Sequence, residues 1–81
     1  MNALADKTLW DTLGNKCRVE MYEIGVGRFE VYFHDFNDAV PRRFIGNLGT
    51  CNLSVDCWLH RKRSDGFVEQ LPSYNPEAWR A

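Results

Sequence analysis

Polar and apolar side chains alternate most regularly over residues 17–35. Cys17, Val19 and Met21 interleave with Arg18, Glu20 and Tyr22. Further on, Phe29, Val31 and Phe33 interleave with Glu30, Tyr32 and His34. A period of two predicts a pair of strands buried on one side only. Residues that face each other across an antiparallel pair lie on the same side, so the two apolar sets must meet. A three-residue loop, Gly25-Val26-Gly27, allows this, with Gly27 in the left-handed conformation. A two-residue turn at Gly25-Val26 would set apolar against polar throughout. The predicted register places Met21 opposite Val31 and Val19 opposite Phe33. On the other side Tyr22 faces Glu30, Glu20 faces Tyr32 and Arg18 faces His34.

The flanking segments complete the expected fold. Asn2 is a suitable cap for a helix over about residues 3–13, with Leu9, Trp10 and Leu13 on one side and Gly14 as its stop. Pro41 opens a short third strand, Arg42 to Gly46, and Asn47-Leu48-Gly49 reads as a tight loop. From Cys51 to Leu59 the odd positions are Cys51, Leu53, Val55, Cys57 and Leu59, which predicts a fourth strand with Trp58 pointing outward. Asp65-Gly66 predicts a turn into a fifth strand, Phe67 to Leu71. Pro72 closes the sheet, and Asn75-Pro76 starts a short helical turn carrying Trp79. The expected architecture is one α+β domain spanning residues 1–81. An N-terminal helix packs on a mostly antiparallel sheet of four or five strands (about residues 16–71), followed by a tail at 72–81.

Composition fits one small globular unit. The 81 residues are 44% hydrophobic and 14% aromatic, enough to build a core without staples. No apolar run reaches the length of a membrane span and the N-terminus lacks a signal-peptide layout, so the expected address is cytoplasmic. Three cysteines without a close pair read as free thiols. Net charge is −1, which excludes a polycation. The charge is nevertheless unevenly spread: residues 1–38 carry four basic and seven acidic side chains, residues 39–81 six and four.

Candidate chemistry is sparse. Cys51 and Cys57, six apart on an expected strand, stand about 20 Å apart, too far to share a metal. Neither a metal nor any other cofactor is expected. His34 and His60 are the two imidazoles; Glu20, Glu30 and Arg18 surround His34 in the expected register, an arrangement a small hydrolase would use, but no nucleophile or oxyanion hole accompanies it. Gly25-Val26-Gly27 lacks the lysine and helix of a phosphate loop. Arg42, Arg43, Arg61, Lys62 and Arg63 with an outward Trp58 make a candidate nucleic-acid-binding surface, cations for the backbone and an aromatic for base stacking. The outer face of the hairpin is the preferred partner-binding surface: Arg18, Glu20, Tyr22, Glu30, Tyr32 and His34, with Asp35 and Asp38 beside them. Tyrosine and arginine concentrate binding energy at protein interfaces, and the carboxylates suit a basic partner.

A chain this short, aromatic-rich and α+β, without an enzyme signature, resembles the compact inhibitors encoded by bacteriophages and mobile elements, the anti-CRISPR proteins. The likeness lies in the general appearance of the whole chain and in no motif. It implies a non-enzymatic protein, acting in the host cytoplasm, that blocks a host nuclease complex by occupying a surface, often with acidic side chains where nucleic acid would lie. Glu20, Glu30, Asp35 and Asp38 are the residues placed for that role, while the mildly basic second half departs from a strongly acidic mimic. The expectation is therefore a protein-binding inhibitor, with a nucleic-acid-binding module as the alternative. Monomer and homodimer are both open.

Overall fold

The computed structural model describes residues 3–69. It is α+β, with a five-stranded antiparallel sheet and one helix. The strands are β1 (Ala5–Trp10), β2 (Lys16–Gly25), β3 (Arg28–His34), β4 (Arg42–Gly46) and β5 (Val68–Glu69); the helix α1 (Leu48–Ser64) lies between β4 and β5. Across the sheet the order is β4-β3-β2-β1-β5. The expected fifth-strand residues 70–71, and the tail with its helical turn at Trp79, lie outside the described residues.

The central hairpin follows the alternation pattern. Val19 pairs with Phe33, Met21 with Val31, Glu20 with Tyr32, Tyr22 with Glu30 and Arg18 with His34. Its turn differs from expectation. Gly25 pairs with Arg28, leaving a two-residue connection at Val26-Gly27, and the ladder shifts between Glu23 and Gly25, around Ile24. That bulge supplies the odd residue that keeps apolar facing apolar. Gly27 has φ +68°, the left-handed conformation such a turn requires.

Two element types are reversed relative to expectation. Residues 5–10 form a strand instead of a helix, pairing residue for residue with β2 from Ala5–Met21 to Trp10–Lys16. A helix of three turns would be marginal, whereas the open edge of β2 offers a full ladder of hydrogen bonds. Gly14 is part of a hairpin loop (φ +86°), not a helix stop. Within that loop the Asp11 carboxylate accepts from the Leu13 and Asn15 backbone N–H groups at 2.9 and 2.8 Å.

The expected strand over 51–59 lies within α1, so the helix is not N-terminal but follows β4. The alternation was incidental: Leu53 and Cys57 are exposed. The buried stripe is Cys51, Val55, Trp58, Leu59 and Lys62, at helical spacing. Both helix ends carry their signals. Asn47, expected in a loop, is the N-cap, its side chain accepting from the Thr50 N–H at 2.8 Å. At the other end the Phe67 N–H reaches the Lys62 carbonyl (2.9 Å) and the Gly66 N–H the Arg63 carbonyl (3.1 Å), with Gly66 at φ +97°. This is a Schellman closure, so Asp65-Gly66 ends a helix rather than turning a hairpin.

The helix packs over β3 and β4, and its stripe meets Leu9, Cys17, Val19, Met21, Phe29, Val31 and Phe33 in one core. Trp58, expected to point outward, is 2% exposed and packs on Phe33 with ring centroids 5.5 Å apart. Among the described residues no helix is long and apolar enough to cross a membrane.

Candidate functional site

With α1 on the inner side of the sheet, the outer side carries no helix among the described residues. Strand alternation places Asp6 of β1, Arg18, Glu20 and Tyr22 of β2, Glu30, Tyr32 and His34 of β3, and Arg43 of β4 on that side. Its centre is a repeated tripeptide, Glu20-Met21-Tyr22 and Glu30-Val31-Tyr32, on antiparallel neighbours. Each tyrosine therefore faces the other strand's glutamate. Within each strand the tyrosine also reaches the glutamate two residues back. The Tyr22 hydroxyl donates to Glu20 at 2.5 Å, and Tyr32 stands close enough to Glu30 to lower its carboxyl. The two rings meet edge to face, with centroids 6.2 Å apart.

Cations close each end of this square. Arg18 forks onto Asp6 with contacts of 3.0 and 2.8 Å and lies 3.4 Å from Glu20, while His34 Nε2 is 2.6 Å from the other Glu20 oxygen. Arg43 pairs with Glu30. Hydrogen bonds from the tyrosine hydroxyls, followed by those from His34 or Arg43, hold both glutamates below the ordinary carboxylate range. The same bonds push the Tyr22 and Tyr32 hydroxyls upward. Arg18 is raised by its fork onto Asp6. The result is an ordered surface with its charges paired laterally. A shallow, open depression of about 460 Å³ lies over it, lined by Glu20, Tyr22, Ile24, Glu30, Tyr32, His34 and Pro41.

Two of the expected partner-binding residues lie elsewhere. Asp35 follows the parity of Phe33 and turns to the core side. There it accepts from Lys62 Nζ at 2.5 Å, and the Cys17 thiol lies 3.5 Å away, with both charged side chains at 14% exposure or less. Burial alone would raise Asp35; Lys62 outweighs it and holds the carboxyl below its usual range. Asp38 sits in the exposed connection to β4, 3.9 Å from Arg42.

The basic set disperses. Arg43 is on the outer face, whereas Arg42 takes the opposite parity beside Phe33. Lys62 is buried against Asp35, Trp58 is in the core, and Arg63 pairs with Glu69 at 2.8 Å. Helical spacing in place of strand spacing causes this. It splits Arg61, Lys62 and Arg63 among three directions. Arg42, Arg43, Trp58 and Arg61 do meet, however, along one groove between β4 and α1. His60 and Cys57 are exposed on the helix; Cys17 and Cys51 are buried, and burial raises both thiols. No group of three or more potential metal-ligating side chains occurs among the described residues. The Glu-x-Tyr pairs at 20–22 and 30–32 do not stand out as a repeat in the sequence alone; the strand register is what interlocks them.

Comparison with protein-family models, curated proteins and solved structures finds no match to this chain.

Proposed function

We propose that the protein is a small non-enzymatic protein-binding module that acts by occupying a surface of a larger assembly, and that it binds through the outer face of the sheet. The observation that carries this reading is the pre-ordered Tyr22–Tyr32 pair, its rings edge to face and the Tyr22 hydroxyl held by Glu20, on a face the helix leaves uncovered. Rigid amphipathic rings bind at low entropic cost, and aromatic anchors supply most of the energy at protein interfaces. The Glu20–His34 pair could serve acid–base chemistry. The depression beside it is lined by Glu20, Glu30 and His34 together with tyrosine, isoleucine and proline, but both carboxylates are already engaged laterally by Arg18, His34 and Arg43, which favours contact over catalysis.

An inhibitor of a host nuclease complex is the specific form of this proposal. Glu20 and Glu30 already hold cations, so the face offers paired charges rather than an acidic track. Steric occupation therefore fits it better than nucleic-acid mimicry. The test is a pull-down from bacterial lysate, with and without nuclease, using the wild type and a folded Tyr22→Ala/Tyr32→Ala variant. A nuclease-resistant partner should bind the variant about 30-fold more weakly or worse, the loss expected for anchor residues. Unchanged affinity would rule out this face. Capture that vanishes with nuclease would shift the reading to nucleic acid.

A further inference from the structure

The β4 edge and the groove beside it form a second surface, on the other side of the sheet from the tyrosines. β4 pairs only with β3 among the described residues, so alternate backbone N–H and C=O groups along Arg42–Gly46 are free. The helix that follows runs back over the inner face, and its Ser54, Trp58 and Arg61 share one stripe. Together with Phe33, Arg42, Arg43 and Phe44 they line a groove of about 330 Å³ along that edge.

Charge decides what suits it. Arg42 is 62% exposed with only a distant carboxylate, Asp38 at 3.9 Å, and Arg61 has no ion-pair partner among the described residues. Both guanidinium groups border a floor of aromatic rings. A second copy of this chain pairing edge to edge supplies no carboxylate to Arg42 or Arg61, since Arg43 on that edge already holds its own Glu30 and Arg42–Gly46 contains no acidic residue.

We infer that the β4 edge accepts an extended acidic peptide as a sixth strand, with its side chains entering the β4–α1 groove. Strand addition supplies the main-chain hydrogen bonds, and alternate side chains supply the selectivity. Arg42 and Phe44 are two residues apart on the groove side, so the peptide presents an acidic and an apolar residue two positions apart. The carboxylate meets Arg42 and Arg61, and the apolar side chain covers Phe44. The two arginines also reject strands without acidic residues, which would leave a guanidinium desolvated and unpaired.

The test uses a fluorescent octapeptide, Thr-Glu-Thr-Val-Thr-Glu-Thr-Val, and its Glu→Gln analogue, followed by anisotropy and by amide hydrogen exchange. The acidic peptide should bind at least about tenfold more tightly than the analogue, and Arg42→Glu/Arg61→Glu should remove that difference, the size expected for a lost charge-assisted contact. Amides of β4 should exchange more slowly when the peptide is bound. Equal binding of the two peptides, no binding at about 1 mM, or binding without protection of β4 would each overturn the inference. So would an oligo-dT decamer that binds through Arg42 and Arg61 while the acidic peptide does not. A tyrosine-face failure in the pull-down leaves these readouts untouched, because they report on a different side of the sheet.

Discussion

Two regions of the molecule use the same chemistry, carboxylate against cation, in opposite circumstances. On the outer face Arg18 and Asp6 pair with both side chains more than 40% exposed. On the inner face Lys62 and Asp35 pair with side-chain exposures of 10% and 14%, and Lys62 is also stacked over the rings of Trp58 and Phe67. An exposed pair is screened and contributes little; a buried one gains little over an apolar replacement, but losing one partner leaves a costly unpaired charge. The comparison shows that charge on this protein has two roles. Outside it orients a surface; inside it joins the connection after β3 to the end of the helix.

The largest effect is therefore expected from breaking the inner pair on one side. Lys62→Ala should destabilise the fold by about 3–5 kcal/mol, because Asp35 is left buried without its partner. Replacing both, as Lys62→Met/Asp35→Leu, should recover most of that loss. Urea denaturation of the three proteins checks the claim, and a double variant as unstable as the single one would show that the pair is more than mutual compensation. Acid titration sharpens the contrast. Asp35 has a folded pKa below its unfolded value, so its contribution is fully present above about pH 4 and is lost as pH falls through the lower folded value. The thermal midpoint of the wild type should fall across that window, and Asp35→Asn should show a shallower decline. The smallest effect belongs to the outer face: Arg18→Ala should cost less than about 1 kcal/mol by the same denaturation assay. A larger loss there would mean that the outer network holds the sheet together and is not only a binding surface.

Much of the hairpin was legible beforehand. The pairing of Val19 with Phe33 and of Tyr22 with Glu30 follows from period-two alternation and from the rule that facing residues share a side. The extent of the third strand, Arg42–Gly46, was also readable between Pro41 and Asn47. The tyrosines and glutamates of the candidate site could be named for the same reason. The groove at Arg42 and Arg61 could not, because it depends on a helix that the alternation of Cys51, Leu53, Val55, Cys57 and Leu59 disguised. The informative residue was Lys62. Treated as a surface cation it hides the helical stripe; counted as buried it completes the sequence Cys51, Val55, Trp58, Leu59, Lys62.

The sequence by itself determined the hairpin register, its two-faced character, and the positive φ at Gly27. These depend on neighbours near in the chain or directly opposite, and local sterics enforce them. Tertiary structure decided the state of residues 5–10 and 51–59, which sheet face the helix covers, and where Asp35 and Lys62 go. A short segment has too little intrinsic preference to choose between helix and strand, so the choice falls to whichever partner completes its hydrogen bonds and buries its apolar side. For Ala5–Trp10 that partner was the edge of β2; for Leu48–Ser64 it was the apolar floor of β3 and β4.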